Sequence, residues 1–213
     1  GIRDADVTGV KTCALPISHA KMKQMGVETP VFGFLTDYGS YADGAEIDTS
    51  NFIHPRIEGE VAVMTNKTLK GPGCHIGSVL AAIDFVMPAI EIIDSRYENF
   101  RFDLKSVIAD NTSAAGYVTG SNMKRIEELD LPTLGVVLEK NGEIVELGAG
   151  AAVLGHPAAS VAMLANMLAE RGEEISAGTF IMTGGITAAV AVEKGDNINM
   201  RCQDIGSVSM RFV

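Results

Sequence analysis

Residues 133–148 read TLGVVLEKNGEIVELG. Two runs rich in β-branched and aliphatic residues flank Asn141-Gly142, and a two-residue hairpin loop needs positive φ at both central positions, which Asn and Gly supply at least cost. The segment is therefore a β-hairpin, and it commits this part of the chain to antiparallel pairing. Downstream, AAVLGHPAASVAMLANMLAERG (151–172) carries apolar residues at helical spacing from Pro157 and stops at Gly172. The tail TFIMTGGITAAVAVEKGDNINMRCQDIGSVSMRFV (179–213) alternates, which predicts several strands joined by Gly-containing turns.

Working upstream, FIHPRIEGEVAVMTNKTL (52–69) predicts an extended entry and a strand over 57–64, broken by Asn66 and Lys67. GPGCHIGSVLAAIDFVMP (71–88) opens as a Gly/Pro loop and predicts a helix through Val79, Ala82, Ile83 and Val86, stopped by Pro88. AIEIID (89–94) is most simply a buried strand with one carboxylate inside it. PVFGFLTDYGSYADGAEID (30–48) suggests short extended pieces and loops, and SHAKMKQMG (18–26) a short helix ended by Gly. Strands outnumber helices and hairpins are frequent, so the fold class is α+β around a curled, mainly antiparallel sheet.

Composition narrows the function classes. The chain has 213 residues, enough for one domain or two small ones with a real core. Seventeen basic residues against 27 acidic ones give a net charge of -10, and no Lys/Arg cluster stands out. Nucleic acid and anionic membrane surfaces are thus not expected partners. With 46% hydrophobic and 21% charged residues, disorder is not expected either. No run near eighteen uninterrupted apolar residues occurs, so no membrane-spanning segment is expected. Cys13, Cys74 and Cys202 are widely spaced and odd in number, which suits free thiols in a reducing cytoplasm.

The chemistry is carried by carboxylates. In a strand, residues two apart face the same way, so IEGEV puts Glu58 and Glu60 on one face about 6 to 7 Å apart. A lone Glu-x-Glu is most simply a solvated strand face. Glu91 argues otherwise, because a charge among Ile90, Ile92 and Ile93 is costly to bury unpaired. Three carboxylates on two apolar strands make a hard all-oxygen site suited to Mg²⁺ or Mn²⁺, and no His/Cys set with zinc spacing competes. Asp94 is a second candidate for the third ligand, or a partner for Arg96. Lesser candidates are Arg56, which would bind a substrate carboxylate or neutralise the acidic face, and the polar cluster Asp110, Asn111 and Ser113, which would line a pocket or cap a turn. Thr183 in MTGG is a carboxylate donor or part of a turn, and His156 before Pro157 reads as a helix start.

SHAKMKQMGVETPVFGFL, IHPRIEGEVAV, GPGCHIGSVLAAIDFVMPAIEIIDSRYENFRFD, ADNTS, NGEIVELGAGAAVLGHPAASVAMLAN and AGTFIMTGGITAAV together resemble the hydratase and decarboxylase branch of the fumarylacetoacetate hydrolase superfamily. Within it they look most like the 4-oxalocrotonate decarboxylases (2-oxo-3-hexenedioate decarboxylases) of catechol meta-cleavage. The resemblance spans essentially Ser18 to Val213 and implies the family's curled, mixed sheet with flanking helices. It places Glu58, Glu60 and Glu91 on the family's Mg²⁺ or Mn²⁺ ligands, and the residue-level candidates Arg56, Asn111, Ser113 and Thr183 are then the expected substrate-binding residues. It implies metal-dependent loss of CO₂ from 2-oxohex-3-enedioate, a small unsaturated 2-oxo dicarboxylic acid, to give 2-hydroxypenta-2,4-dienoate. A homo-oligomer, a complex with 2-hydroxypentadienoate hydratase and a cytoplasmic location are likewise expected by resemblance. The related hydratases carry an acid where this chain has Val31, and Val31 cannot move a proton. A 2-hydroxypenta-2,4-dienoate hydratase is therefore the second reading, kept open by the nearby Glu28.

The first seventeen residues, GIRDADVTGVKTCALPI, stand apart. They lack the layout of a signal peptide. Apart from Lys11 and two index positions, they match one translated frame of a widely used sequencing-adapter oligonucleotide. The expectation is that residues 1–17 are not native and that residues 18–213 form a single catalytic domain without its native N-terminal part. The family has Lys-x-Gly-Leu-Thr just before the position of Ser18, with a lysine proposed at the active site. Here TCALPI stands there, so the catalytic group is unknown and Lys11 is not credited with the role. On that expectation the second reading includes an inactive chain that keeps only the metal-binding core.

Overall fold

The hairpin turns through Asn141 and Gly142 at φ 56° and 84°, the left-handed pair that its sequence calls for. The turn is tied down: Asn141 donates through its backbone to Asn197 and through its side chain to Asp196 at 2.7 Å. Lys140 completes the cluster, 3.2 Å from the same carboxylate. Burial alone would raise the Asp196 pKa, but the hydrogen bonds from Glu193, Asn141 and Lys140 outweigh it and hold the group below its ordinary value. Gly142→Ala is expected to cost about 1 kcal/mol through the positive φ. Urea unfolding checks this, and an unchanged midpoint would contradict it.

This computed structural model describes residues 11–12 and 31–213. Its strands in chain order are β1 (Lys11–Thr12), β2 (Gly33–Phe34), β3 (Ser40–Ala42), β4 (Ala45–Ile47), β5 (Arg56–Thr65), β6 (Ile83–Ile93) and β7 (Ala114–Thr119). They continue with β8 (Lys124–Arg125), β9 (Gly135–Lys140), β10 (Glu143–Ala149), β11 (Phe180–Met182), β12 (Val190–Ala191), β13 (Asn197–Cys202) and β14 (Gly206–Phe212). The α-helices are α1 (Ile76–Leu80), α2 (Leu104–Ala109) and α3 (Pro157–Ala169). The helix expected over 18–26, Glu28, Cys13 and most of residues 1–17 lie outside the described residues.

A five-stranded sheet, β10-β9-β13-β14-β4, faces a seven-stranded one, β11-β5-β6-β7-β3, to which β12 and β8 add at β5 and β6. Pairing is antiparallel except for β14 with β4 and β3 with β7. The main core lies between the sheets. Ile57, Val61, Ile90, Ile92 and Val118 of the larger sheet meet Val136, Leu138, Ile198, Met200 and Val208 of the smaller one. Helix α3 adds Val161, Leu164, Ala165 and Leu168, and His156 caps it by accepting from Ala158. The stretch Gly150–Ala169 is apolar enough by length and composition to cross a membrane; half of it is buried here, with Val153, Val161, Leu164 and Leu168 in this core.

One expectation is overturned. The helix predicted through Val86 ends at Leu80, and Ile83–Ile93 is a strand containing Pro88. Apolar residues at 79, 82, 83 and 86 fit a helical period, but Val86, Ile90 and Ile92 also alternate into the inter-sheet core. Proline is tolerated because of where its nitrogen points. The Pro88 carbonyl accepts from Gly120 on the β7 side, so its nitrogen faces that side too, beyond the last β7 pair at Ala89 and Thr119.

Because the inner positions of β5 and β6 fill the core, the alternate positions line the opposite, outer face of the larger sheet. That face carries Glu58, Glu60, Ala62, Met87, Ala89 and Glu91.

Candidate metal centre

The register of β5 against β6 sets Glu58 directly opposite Glu91 and Glu60 opposite Ala89. Two carboxylates two apart on one strand and a third across the ladder converge, and their ligand oxygens lie within 4.8 Å of one another. All three are buried: Glu58 is 2% exposed, Glu60 0% and Glu91 2%. Burial first, and then the charges of Glu91 and Glu58, push the Glu60 carboxyl well above its ordinary range, against one opposing hydrogen bond from Gly184. Glu60 Oε1 is buried with no hydrogen-bond partner. A buried oxygen left over in a cluster of three acids fits a divalent cation, whose charge offsets their mutual repulsion.

The segment Thr183–Thr187 builds the wall beside the two β5 carboxylates. The Thr183 hydroxyl and backbone N–H both donate to the Val61 carbonyl, at 2.9 and 3.1 Å. Gly184, at φ 110°, donates its N–H to Glu60 Oε2 at 2.9 Å. Gly59 N–H donates to Thr187 Oγ1 at 2.9 Å, and Gly59 accepts from Ile186 at 2.8 Å. A Cβ on Gly185 would fall on Glu58 Oε2, so only glycine leaves that carboxylate its place. Among the positions that read as functional from sequence, Gly185 and Thr187 were absent. Gly-Gly inside an alternating strand region is the signal for such a close backbone approach.

Ser113 lies just beyond the end of the β6–β7 ladder, where Ala114 pairs with Ile93; its carbonyl accepts from Asp94, whereas Glu91 faces Tyr117. Asn111, Thr112 and Ser113 take φ of 51°, 60° and 63°, three consecutive left-handed residues without a glycine. Such a turn persists only where its surroundings over-determine it. Here the Ser113 hydroxyl donates to buried Asp110 at 2.9 Å, and Ser95 and the ion-paired Arg96 bind the same carboxylate. The Asn111 side chain accepts from Phe34 N–H and donates to Phe34 O, at 2.8 and 2.9 Å, so its amide docks the Val31–Leu35 segment. Val31 is buried. Asp94 stands outside the cluster, accepting from the backbones of Ile53 and His54. Arg56 shares the outer face with Glu58, and its guanidinium lies 4.4 Å from the Phe100 ring centroid. Cys74 and Cys202 are buried free thiols, and burial pushes the Cys202 pKa up to about 12.

Residues 16–213 match the fumarylacetoacetate (FAA) hydrolase C-terminal family. The chain belongs to the fumarylacetoacetate hydrolase family. Two packed sheets with few helices are the fold of that family, as expected from sequence. Among its fumarylacetoacetate hydrolase relatives, a 4-oxalocrotonate decarboxylase of Pseudomonas putida is 69% identical over 196 residues, covering 92% of this chain and 74% of the relative. The structure of 4-oxalocrotonate decarboxylase from Pseudomonas putida G7, complexed with magnesium and adipate, superimposes with a TM-score of 0.91 at 64% identity, covering 96% of this chain and 79% of that one. A 2-hydroxyhexa-2,4-dienoate hydratase of Comamonas testosteroni is more distant, 39% identical over 190 residues, covering 88% of this chain and 72% of the relative.

Proposed function

We propose that the chain is a Mg²⁺- or Mn²⁺-dependent carboxy-lyase that converts 2-oxohex-3-enedioate to 2-hydroxypenta-2,4-dienoate and CO₂ in the breakdown of aromatic compounds. The observation that carries the reading is the buried cluster of Glu58, Glu60 and Glu91 with its orphaned Glu60 oxygen. The identity to 4-oxalocrotonate decarboxylases supports the substrate class. In the reaction the bond to the far carboxylate carbon breaks, its electron pair forms the terminal double bond, and the conjugated system passes charge to the 2-oxo oxygen, which takes a proton. A divalent cation held by the three glutamates supplies Lewis acidity that stabilises this developing charge.

The remaining work falls to the chain's own side chains. The loop of Gly184 and Gly185 fixes the carboxylates of Glu60 and Glu58. Arg56 offers a cation to a substrate carboxylate, and Ser113, whose hydroxyl is spent on Asp110, helps hold the turn that carries Asn111. Asn111 and Thr183 serve the substrate indirectly, by holding the segments of Phe34 and Val61 that flank it. Val31 provides no proton, which favours loss of CO₂ over hydration of a diene. Residues 18–213 act as one catalytic domain. The working form is a cytoplasmic homo-oligomer that associates with the hydratase consuming its product.

Incubating the chain with Mg²⁺ and 2-oxohex-3-enedioate, with substrate absorbance and CO₂ followed together, is expected to show metal-dependent CO₂ release and no 4-hydroxy-2-oxovalerate. Formation of 4-hydroxy-2-oxovalerate from 2-hydroxypenta-2,4-dienoate would favour the hydratase. Mn²⁺ binding without turnover of either acid would leave only a metal-binding core.

A further inference from the structure

The outer face of the larger sheet has a direction. Along β5 it runs Arg56, Glu58, Glu60, Ala62, Met64, so the three-glutamate cluster sits between a cation and an apolar patch. At the cationic end, His54 and Arg56 both contact the Phe100 ring, with 4.7 Å between the two ring centroids and 4.4 Å from the guanidinium. Asn99 and Phe100 are held at φ 56° and 54°, strained conformations that present this ring to Arg56. Among the described residues Arg56 makes no ion pair. A half-buried guanidinium stacked on a ring, with its fork of donors unspent, is built for a carboxylate ligand.

The other end is different in kind. Ala62, Met87, Ala89, Tyr117 and Met182 form a buried apolar cluster adjoining Glu60 and Glu91. Arg125, farther along the face, is engaged with Asp84 and Phe85.

The two carboxylates of a 2-oxo diacid have opposite needs. The retained one keeps its charge throughout, and a cation beside it helps binding at no cost to the chemistry. The departing one loses its charge as CO₂ forms, so a cation there would stabilise the starting state and slow the step, whereas apolar surroundings favour it. We propose that Arg56, positioned by Phe100, binds the retained 1-carboxylate and that the departing carboxylate lies on the apolar patch of Ala62, Met87, Ala89 and Tyr117. The inference rests on the reading of the three glutamates as the site where the 2-oxo acid binds. It assigns substrate direction, and it makes Arg56 a binding residue and Phe100 a positioning residue.

Two inert probes of equal length test it. 2-Oxohexanoate and 2-oxoadipate differ only in the far carboxylate, and neither has the double bond that lets it leave. Binding of each to the Mn²⁺-loaded chain is measured by calorimetry. In the unaltered chain 2-oxoadipate is expected to bind no more tightly than 2-oxohexanoate, because the far carboxylate gains no cation and loses water on the apolar patch. Arg56→Met is expected to weaken both by the same factor, about tenfold. Phe100→Leu is expected to weaken both by about threefold, with Mn²⁺ affinity unchanged in either variant. A loss confined to 2-oxoadipate would place Arg56 at the departing end and overturn the proposal, as would unaltered binding of both probes to Arg56→Met. Binding of 2-oxoadipate more than about tenfold tighter than 2-oxohexanoate in the unaltered chain would overturn the apolar placement. Absence of Mn²⁺ binding in the unaltered chain would sink the metal reading itself, and this inference with it.

Discussion

Glu60→Gln is expected to weaken Mn²⁺ binding by about tenfold or more, at least about 1.4 kcal/mol, while making the metal-free chain more stable at neutral pH. The two effects have one cause. Glu60 is fully buried, its pKa is raised first by burial and then by Glu91 and Glu58, and its Oε1 atom has no hydrogen-bond partner. As a ligand its negative charge is what binds the cation. Without the cation the same charge is a liability that the neutral amide removes. Loss of metal affinity together with gain of stability separates a binding residue from a structural one, whose removal would cost both.

The same carboxylate sets a pH dependence. Its folded pKa lies above the ordinary glutamate value of 4.5, so the metal-free folded state keeps a proton that the unfolded chain gives up. That contribution to stability is complete below pH 4.5 and is lost as pH rises through the elevated folded value. The melting temperature of the metal-free chain should therefore fall over this window. Saturating Mg²⁺ should restore it most at the alkaline end, since the metal competes with the proton. Glu60→Gln should flatten both trends. A melting temperature that climbs steadily with pH in the absence of metal would contradict the assignment.

How much of this was legible depends on how local the signal is. Asn141-Gly142 carries its turn in its own backbone preferences, and the hairpin follows. Glu58 and Glu60 share a face through the strand period alone, and Glu91 stood out because isoleucines surround it. That Glu58 lies opposite Glu91 is a matter of register between strands, and no local property encodes it. The stretch around Val86 satisfied two periods at once, and the tertiary context chose the strand. Asn111 was legible as a polar residue of a turn, but its partner, the Phe34 backbone, is 77 residues away. Phe100 carried no signal, because an aromatic in a loop acquires meaning only through the arginine it meets in space.

The loop beside the carboxylates gives the sharpest test of whether their placement, and not merely their presence, makes the site. Gly185→Ala leaves Glu58, Glu60 and Glu91 all in the chain, yet it is expected to weaken Mn²⁺ binding as severely as removal of a ligand. An added Cβ coincides with Glu58 Oε2 and also comes within 3.2 Å of the Thr187 carbonyl, so one of two groups has to move. If Glu58 yields, one ligand leaves the cluster. If the loop yields, Gly184 is pulled from Glu60, and the hydrogen bond that orients that carboxylate is lost. Overpacking of this kind costs about 1 to 3 kcal/mol of stability, so melting is measured beside the Mn²⁺ titration. Ala188→Gly, close in sequence but outside these contacts, should leave metal affinity intact. Unchanged Mn²⁺ affinity in Gly185→Ala would mean that the cation is held without Glu58 in this position, and the three-glutamate assignment would fall.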